Sequence, residues 1–339
     1  MLAKLKFILR KLGRFALRGV LLLLLALLLF EVLYRYQVVD TYRRELRALN
    51  PDTAPAKGGV LVMGDSFTAA QDNWVDRLRL LRPDLAILNG AVPGTGVRQA
   101  NFMAGGRFKI SAPKVFIYQI YVGNDLFDLR FPLNWAEMGF ARNVYWGAAN
   151  RLRGLSWLNY ALGQFRSAPP PSGTRDGKTV DFPFSPESYA SRVKLYLRAE
   201  PALLQASVLL QGARKSDFAD YLEFLSELLD HCENGDCQAY LLFIPHCAQV
   251  HARYATNMQL LGAKIDDSKA ISQLNYPFFE AVKGALASHN NVSCVNLLPI
   301  FRKMEVQGVP AYFNNDIHLS HAGQERLAQF VADLLRAAQ

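Results

Sequence analysis

The chain has 339 residues, which is too long for a small disulfide-framed domain and suits one domain of about 250–300 residues with additional segments. Hydrophobic residues make up 51% of the chain and charged residues 20%, a composition that excludes a disordered protein. Of the net charge of +9, the first 18 residues contribute +6 and the remainder +3. The basic character therefore belongs to one terminus and does not predict a nucleic-acid-binding face.

An uninterrupted apolar run, residues 19–30, follows the basic terminus. Residues 15–35 predict a helix that can cross the ~30 Å hydrocarbon core of a bilayer, with Arg18 and Glu31 near its ends. The basic flank predicts that residues 1–14 are cytoplasmic and that the rest of the chain is periplasmic or extracellular. A cleaved secretory signal is the alternative, but no small-x-small cleavage site follows the run. The sequence therefore favours a single-pass membrane protein with an uncleaved signal anchor.

Residues 36–57 are polar and predict a stalk, which leads to a domain of residues 58–339. Five short apolar runs in this domain predict buried strands, within residues 58–66 and at 85–89, 115–121, 238–245 and 292–297. Apolar residues at helical spacing predict helices at 73–81, 217–229, 271–286 and 322–335. Continuously apolar strands that alternate with helices predict a three-layer α/β/α sandwich around a five-stranded parallel sheet.

Residues 128–189 break this alternation, and we interpret them as an insert between the third and fourth strands. The first part of the insert is dense in Trp, Tyr and Phe, and residues 167–178 are rich in Pro, Gly and Ser. A lid, a membrane-facing flap and a surface for a membrane-protein partner are three functional interpretations. An additional helical layer on the core is the structural interpretation, because aromatic-rich helices are usually buried.

The four cysteines suit an exported domain, since an even count is compatible with disulfide bonds. Four cysteines allow three pairings. Cys232 and Cys237 flank a short polar turn and are the favoured pair, and Cys247 and Cys294, near the ends of two apolar runs that could be neighbouring strands, are the candidate second pair. Four buried free thiols are the alternative. The spacing of these cysteines is not typical of a zinc site, and we predict no metal ion.

Reactive or permissive residues follow four of the five predicted strands, at the edge where parallel sheets bind ligands. Ser66 follows the first strand in a Gly-Asp-Ser turn, and Gly94 lies in a glycine-containing loop after the second strand. Asn124 follows the third strand, and Asp316 and His318 precede the last helix. The chain contains neither a GxxxxGK[ST] loop nor a strand-linked GxGxxG, so a nucleotide cofactor is not predicted.

This ordered set resembles the motif blocks of the SGNH hydrolases, the GDSL-type lipase and esterase superfamily, over roughly residues 58–338. The resemblance implies a flavodoxin-like strand order and an acyl-enzyme mechanism without a cofactor. It assigns Ser66 as the nucleophile, His318 as its general base and Asp316 as the acid that orients His318. By the same resemblance, the oxyanion hole consists of the Ser66 amide, the Gly94 amide and the Asn124 side chain.

Two of these assignments choose between neighbouring residues. His318 is preferred to His321 because the histidine of the family precedes a glycine by five positions, and Gly323 follows His318 by five. Gly94 is preferred to Gly90 because the glycine of the family usually follows an apolar residue and a small one.

The acid is a third choice. The usual Asp-x-x-His spacing of the family places Asn315 in the acid position, whereas Asp316 matches the Asp-x-His form of related membrane-anchored and glycan-modifying members. The implied function is an outward-facing serine esterase, with an acylated carbohydrate or a small ester as its substrate, that removes acyl groups, often acetyl, from envelope or secreted glycans. A glycan O-acyltransferase with the same acyl-enzyme and a catalytically idle subunit of a membrane complex are the alternatives.

Overall fold

Parallel strands form the centre of the larger part of the protein. The structure is a computed structural model that describes residues 2–36, 38, 42–50, 57–69, 73–129, 138–164, 174–175, 178–179, 181–212, 216–233 and 237–337. In chain order, the strands are β1 (Val60–Met63), β2 (Ile87–Asn89), β3 (Val115–Tyr121), β4 (Thr174–Arg175), β5 (Lys178–Thr179), β6 (Gln238–Ile244) and β7 (Val292–Asn296). Strands β4 and β5 form a separate antiparallel pair, and the other five form one parallel sheet in the order β2-β1-β3-β6-β7. The predicted five-stranded parallel sheet with a flavodoxin-like strand order is confirmed.

Helices connect most of these strands. They are α1 (Leu2–Arg35), α2 (Arg43–Leu49), α3 (Ser66–Ala69), α4 (Trp74–Leu81), α5 (Val97–Ser111), α6 (Phe140–Ala149), α7 (Arg153–Gln164), α8 (Ser191–Ala199), α9 (Leu203–Ser207), α10 (Asp217–Glu233), α11 (Cys247–Val250), α12 (Ala252–Leu260), α13 (Ser268–Ile271), α14 (Pro277–Ala285), α15 (Leu298–Val306) and α16 (His321–Ala337). The helix predicted at 271–286 begins later than expected, as α14, because Pro277 occupies its first turn, where the missing backbone N–H of proline is tolerated. The patterns at 73–81, 217–229 and 322–335 correspond to α4, α10 and α16.

Apolar side chains bury the sheet on both faces. Every residue of β1 is buried, as are all residues of β3 and β6 after the first. A strand buried at consecutive positions must be covered above and below, because successive side chains point to opposite faces. The helices α5 and α10 pack together as one pair, and α4 and α16 as another. This layered arrangement exposes the carboxyl ends of the strands, where the site described below lies.

The chain divides into two units, one of residues 1–41 and 138–168 and the other of residues 42–137 and 169–339. In the first unit, α1 packs against α7, and α6 also packs against α7. Within α1, Arg10–Arg35 are long and apolar enough to cross a membrane, and an 18-residue window of this segment has a mean hydropathy of 2.5. The second unit contains the sheet, and it also contains α2, which lies within the predicted stalk.

Hydrogen bonds attach the end of the predicted stalk to the second unit. The Asn50 side chain donates to the Asn89 carbonyl oxygen at 2.8 Å, and Arg79 Nη1 donates to the Leu49 carbonyl oxygen at 3.0 Å. Other parts of the predicted stalk and insert lie outside the described residues, namely 37, 39–41, 51–56, 130–137, 165–173, 176–177 and 180. The aromatic part of the insert that is described, α6 and α7, belongs to the unit that contains α1.

The cysteines form one disulfide bond, between Cys232 and Cys237, and the thiols of Cys247 and Cys294 are free. The candidate pairing of Cys247 with Cys294 is therefore wrong. Cys294 lies opposite Leu241 in the β6–β7 register, whereas Cys247 follows the end of β6. From Leu241 to the end of β6 at Ile244 the strand alone rises about 10 Å, which already exceeds the about 7 Å that a disulfide bond tolerates between Cα atoms.

We expect two cysteines to react with a maleimide in denatured, unreduced protein and four after reduction, as counted by mass spectrometry. In the native protein the two free thiols should react slowly, because burial raises the pKa of Cys247 to about 12 and that of Cys294 to about 11, and the thiolate is the reactive form. In the unreduced, denatured sample, Cys247→Ser should leave one labelled cysteine. Four labels without reductant would contradict the disulfide bond.

Candidate active site

Ser66 begins α3 directly after β1, on a turn that the neighbouring strand holds in place. Glycine fits position 64 because a Cβ there would lie 2.9 Å from Gln119 Cβ and 2.5 Å from Gln119 Oε1 on β3. Gln119 Oε1 accepts hydrogen bonds from the backbone N–H of Asp65 at 3.1 Å and from the Thr68 hydroxyl at 3.0 Å. Asp65 and Thr68 are buried, while Ser66 is partly exposed. The turn therefore presents the Ser66 hydroxyl at the carboxyl edge of the sheet.

His318 lies between Ser66 and a carboxylate. His318 Nε2 is 2.8 Å from Ser66 Oγ, and His318 Nδ1 is 2.8 Å from Asp316 Oδ1. The Phe67 ring packs against the imidazole with 4.8 Å between the ring centroids. The side chains of His318 and Asp316 are 30% and 33% exposed, which leaves room for a substrate to reach them. The structure thus brings Ser66, His318 and Asp316 into one hydrogen-bonded chain.

Backbone contacts fix the loop that carries His318. The backbone N–H of Phe313 donates to the His318 carbonyl oxygen at 3.1 Å, and Ser320 Oγ donates to the Pro310 carbonyl oxygen at 2.6 Å. A side chain at Gly323 is excluded, because its Cβ would lie 2.2 Å from the Ala311 carbonyl oxygen. This close approach gives a physical reason for the glycine five residues after His318.

Asn315 and His321, the alternatives to Asp316 and His318, make their contacts elsewhere. Asn315 Oδ1 accepts from the Ser185 backbone N–H at 2.8 Å, and its Nδ2 donates to the Phe182 carbonyl oxygen at 3.0 Å. Its side chain therefore ties the loop to residues 182–185. His321 is the first residue of α16, and its ring meets the Phe313 ring edge-on at 5.8 Å.

The electrostatic surroundings make His318 a stronger base. Burial works to lower the pKa of His318, but the charge and hydrogen bond of Asp316 raise this pKa above its ordinary value, and Asp65 adds to the rise while Arg192 opposes it. Burial works to raise the pKa of Asp316, but the charge and hydrogen bond of His318 hold it below its ordinary value. An ionised Asp316 beside a more basic His318 is the combination that deprotonates a serine hydroxyl.

The loop after β2 reaches the same edge of the sheet. Gly94 has φ +71°, in the left-handed region that favours glycine, and a Cβ on it would lie 2.9 Å from Arg192 Nη1. A Cβ on Gly96 would lie 3.2 Å from Asp128 Cβ, so this loop packs closely against the turn after β3. Gly90 lacks the positive φ of Gly94.

Asn124 lies in the turn after β3 and is oriented by an acid that sequence reasoning missed. Asn124 Nδ2 donates to Asp128 Oδ2 at 2.8 Å, and Asp128 Oδ1 accepts a hydrogen bond from the Tyr196 hydroxyl. Burial raises the pKa of Asp128 to about 6, against the charge of Arg192 and the hydrogen bond of Tyr196. Asp128 occupies one N–H of the Asn124 amide and leaves the other for a ligand. The sequence offered one signal for Asp128, its position four residues after Asn124, and no signal for Tyr196 on α8.

His246 has a structural role at the end of β6. Its Nδ1 accepts a hydrogen bond from the Ala248 backbone N–H at 3.1 Å, which caps α11. Its ring stacks on Tyr121 with 6.1 Å between centroids, and burial lowers the pKa of His246 to about 3. Among the residues that the structure describes, no group of three or more His, Cys, Asp or Glu side chains could hold a metal ion.

Comparisons with known proteins give distant structural similarity. No protein-family model and no curated protein sequence matches the chain. An acetylxylan esterase from Geobacillus stearothermophilus is 16% identical with a TM-score of 0.38, and the match covers 83% of this chain and 95% of the esterase. A GDSL-like lipase from Bacteroides thetaiotaomicron is 10% identical with a TM-score of 0.41, and the match covers 88% of this chain and 98% of the lipase. An α/β hydrolase from the metagenome of Lake Arreo is 14% identical with a TM-score of 0.38, over 82% of this chain and 95% of the hydrolase.

The parallel sheet has the strand order β2-β1-β3-β6-β7. Ser66, Gly94 and Asn124 follow three adjacent strands, β1, β2 and β3, and His318 reaches Ser66 from the loop before the last helix. This sheet and this arrangement of residues fit an SGNH/GDSL hydrolase fold.

Proposed function

We propose that the protein is a serine ester hydrolase in which Ser66, His318 and Asp316 act as nucleophile, general base and orienting acid. The supporting observation is the pair of 2.8 Å contacts that joins Ser66 Oγ to His318 Nε2 and His318 Nδ1 to Asp316 Oδ1. A serine hydroxyl is a weak nucleophile by itself and needs an adjacent base at this distance. The proposed oxyanion donors are the backbone N–H groups of Ser66 and Gly94 and the Asn124 side chain.

The first half of the proposed reaction forms an acyl-enzyme. Ser66 Oγ attacks the carbonyl carbon of the ester while its proton passes to His318 Nε2. The carbonyl oxygen becomes an oxyanion, which the three N–H donors stabilise in the tetrahedral intermediate. When the intermediate collapses, the bond to the alcohol breaks, the alcohol takes the proton from His318, and the acyl group stays on Ser66. Asp316 stabilises the imidazolium and keeps its Nδ1–H directed at the carboxylate.

The second half regenerates the enzyme. Water attacks the acyl carbon and gives its proton to His318, and the second tetrahedral intermediate releases a carboxylic acid as Ser66 recovers its proton. If a sugar hydroxyl replaces water in this step, the same acyl-enzyme produces a new ester. Hydrolysis and acyl transfer therefore share every residue above and differ in the acceptor.

We further propose that the substrates are acyl esters, chiefly acetyl esters, on glycans of the cell envelope or on secreted glycans. An enzyme that is held by α1 and faces outward would meet such esters. The apolar segment Arg10–Arg35 and the basic residues at its start support this location.

Acetate release tests the hydrolase proposal directly. Purified full-length protein is incubated with acetylated xylo-oligosaccharides, with and without an unacetylated oligosaccharide, and free acetate and acetylated acceptor are measured. Release of one acetate for each acetyl group lost from the oligosaccharide supports the hydrolase. If more acetyl groups reach the acceptor than are released as acetate, the protein is an acyltransferase.

A fluorescent serine-directed phosphonate should label the wild type but not Ser66→Ala. Absence of both labelling and turnover would contradict an active enzyme and favour an idle subunit.

We expect Asn124→Ala to lower kcat on a small acyl ester by about a hundred- to a thousandfold, the usual loss for one oxyanion donor. KM should change little, because the charge on the oxygen develops mainly in the transition state. Asn143→Ala is the matched control, since Asn143 lies on α6 and its side chain bonds the Met138 carbonyl oxygen. A loss of less than about tenfold would remove Asn124 from the proposed oxyanion hole.

Protease treatment of spheroplasts tests the proposed topology. We expect an added protease to digest residues beyond about 36 and to leave a short membrane-protected fragment that contains the basic terminus, because positive flanks stay in the cytoplasm. A cytoplasmic marker protein that remains intact shows that the membrane is closed. Full protection of the large domain would reverse the topology, and release of that domain without protease would indicate cleavage of the anchor.

A further inference from the structure

The membrane-spanning candidate α1 carries a carboxylate that is directed away from its exposed apolar surface. Glu31 is 5% exposed, although Leu28 and Leu29, which precede it on the helix, are exposed. Its carboxylate accepts hydrogen bonds from the backbone N–H groups of Arg153 at 3.0 Å and Gly154 at 2.7 Å. These donors belong to the first turn of α7, where a helix favours a negative charge. Glu31 therefore attaches the start of α7 to the end of α1 that is opposite the basic terminus.

Ring packing continues this attachment. The rings of Phe30 and Trp157 lie 5.8 Å apart, and a Cβ on Gly154 would lie 2.5 Å from the Phe30 ring, so that α7 approaches α1 closely. The Tyr145 hydroxyl donates to Asn159 Oδ1 at 2.6 Å and joins α6 to α7. The two helices α6 and α7, which we call the interfacial hairpin, are thus continuous with α1.

The interfacial hairpin exposes apolar side chains at helical spacing. Phe140 and Val144 on α6 are exposed, as are Leu158 and Leu162 on α7, and the members of each pair lie four residues apart on one helical face. Phe140 is 85% exposed, which is unfavourable for an aromatic side chain in water. The hairpin therefore presents an apolar surface beside the helix that could cross the membrane.

Charge and aromatic content distinguish this surface from an ordinary helix pair. Residues 138–164 contain three arginines and five aromatic residues and no Asp or Glu. Basic side chains with Trp, Tyr and Phe are typical of helices that lie in the headgroup region of a membrane. The three arginines give this segment a net positive charge, which is attracted to anionic phospholipids.

We propose that the interfacial hairpin lies in the outer headgroup layer of the bilayer that α1 spans, with Phe140, Val144, Leu158 and Leu162 facing the acyl chains. Arg142 and Arg151 then lie at the level of the lipid phosphates. The Glu31 contact places the hairpin at the end of the span, where the polar headgroups begin. This proposal rests on the membrane span of α1 and is independent of the proposed esterase activity. Its occupant is a lipid surface, and a protein partner on the same surface is a distinct outcome of the test.

Fluorescent probes at single cysteines test the proposal in the full-length protein. In a background with Cys247→Ala and Cys294→Ala, an environment-sensitive NBD probe is attached at Phe140→Cys or Leu162→Cys. Leu22→Cys in α1 is the membrane control, and Leu80→Cys on α4, which is 82% exposed, is the water control. The protein is reconstituted in vesicles of phosphatidylcholine and phosphatidylglycerol in equal parts, with and without a doxyl-labelled lipid that quenches the probe on contact.

We expect blue-shifted emission and quenching by the doxyl lipid at Phe140, Leu162 and Leu22, and neither effect at Leu80. Water-like, unquenched probes at both hairpin positions, with Leu22 quenched, would overturn the proposal while the membrane span of α1 stands. Blue-shifted but unquenched hairpin probes would also overturn it, because protein rather than lipid would then cover the surface. An unquenched probe at Leu22 would remove the span and the proposal together. Ester hydrolysis by the same preparations reports separately on the proposed function.

The Glu31 contact is tested by hydrogen exchange in the same vesicles. With Glu31→Leu, the first turn of α7 loses its acceptor, and the backbone amides of Arg153 and Gly154 should exchange faster than in the wild type. Glu31→Gln keeps one acceptor oxygen and should restore part of this protection. If Glu31→Leu leaves the exchange at these amides unchanged, Glu31 does not attach the hairpin to α1.

Discussion

Replacement of Ser66 by alanine should lower kcat on a small acyl ester by about 10⁴- to 10⁶-fold and leave the fold intact. Ser66 is partly exposed at the first residue of α3, and alanine removes only its hydroxyl, so the loss is expected in chemistry and not in packing. Circular dichroism and the thermal unfolding midpoint should match those of the wild type. Retention of full esterase activity by Ser66→Ala would remove Ser66 as the nucleophile.

His318→Ala should cost a comparable factor, because Ser66 Oγ and His318 Nε2 lie 2.8 Å apart and would act as one unit. The double variant Ser66→Ala/His318→Ala should therefore be hardly worse than either single variant, since losses within such a unit do not add. His321→Ala, at the first residue of α16, is the matched control three positions along the chain, and we expect a mild effect. If the two single losses multiplied in the double variant, the residues would not share one catalytic step.

The second large effect concerns the acid. Asp316→Asn should lower kcat by about 10³- to 10⁴-fold, because Asn removes the charge that stabilises the imidazolium and accepts its Nδ1–H less well. Asn315→Ala should change kcat little, because the Asn315 side chain bonds residues 182–185 instead of His318. The reverse pattern, with Asn315 essential and Asp316 dispensable, would restore the usual family spacing.

The pH profile gives an independent readout of the same contact. General-base catalysis requires neutral His318, so kcat/KM should rise as pH increases through the pKa of His318, and Asp316 raises that pKa above its ordinary 6.5. In Asp316→Asn the negative charge is absent, and the rising limb should move to lower pH. If the limb shifts in Asn315→Ala but not in Asp316→Asn, then Asn315 and not Asp316 sets the pKa of His318.

The sequence predicted the sheet well because a strand buried on both faces has a simple signature. Residues 115–121 are continuously apolar except for Gln119, and the observed β3 has the same bounds. The residues of the site were predictable for a related reason. In a parallel sheet the carboxyl ends of all strands meet at one edge, so Ser66, Gly94 and Asn124 could be grouped without knowledge of any distance.

Helices with polar buried faces were not predictable in this way. Helix α5 (Val97–Ser111) buries Arg98, Gln99, Asn101 and Arg107 among its apolar residues, which removes the apolar periodicity that marks an amphipathic helix. The aromatic insert has a clear apolar pattern, but the pattern does not say what the apolar residues contact. Its apolar residues could equally indicate a layer on the core or a surface for lipid, and the packing of α7 against α1 is a contact between segments far apart in sequence.

Local sequence determined which residues of this protein form the candidate site, because turn-forming glycines and reactive side chains follow the ends of apolar strands. Tertiary structure decided between adjacent candidates: it directs Asp316 to His318 and Asn315 to residues 182–185. It also separated Cys247 from Cys294 along the strand direction and brought Asp128 and Tyr196 to Asn124. These contacts depend on the register of neighbouring strands and on the path of long connections. Both position residues to within the length of a hydrogen bond, and neither leaves a local pattern in the sequence.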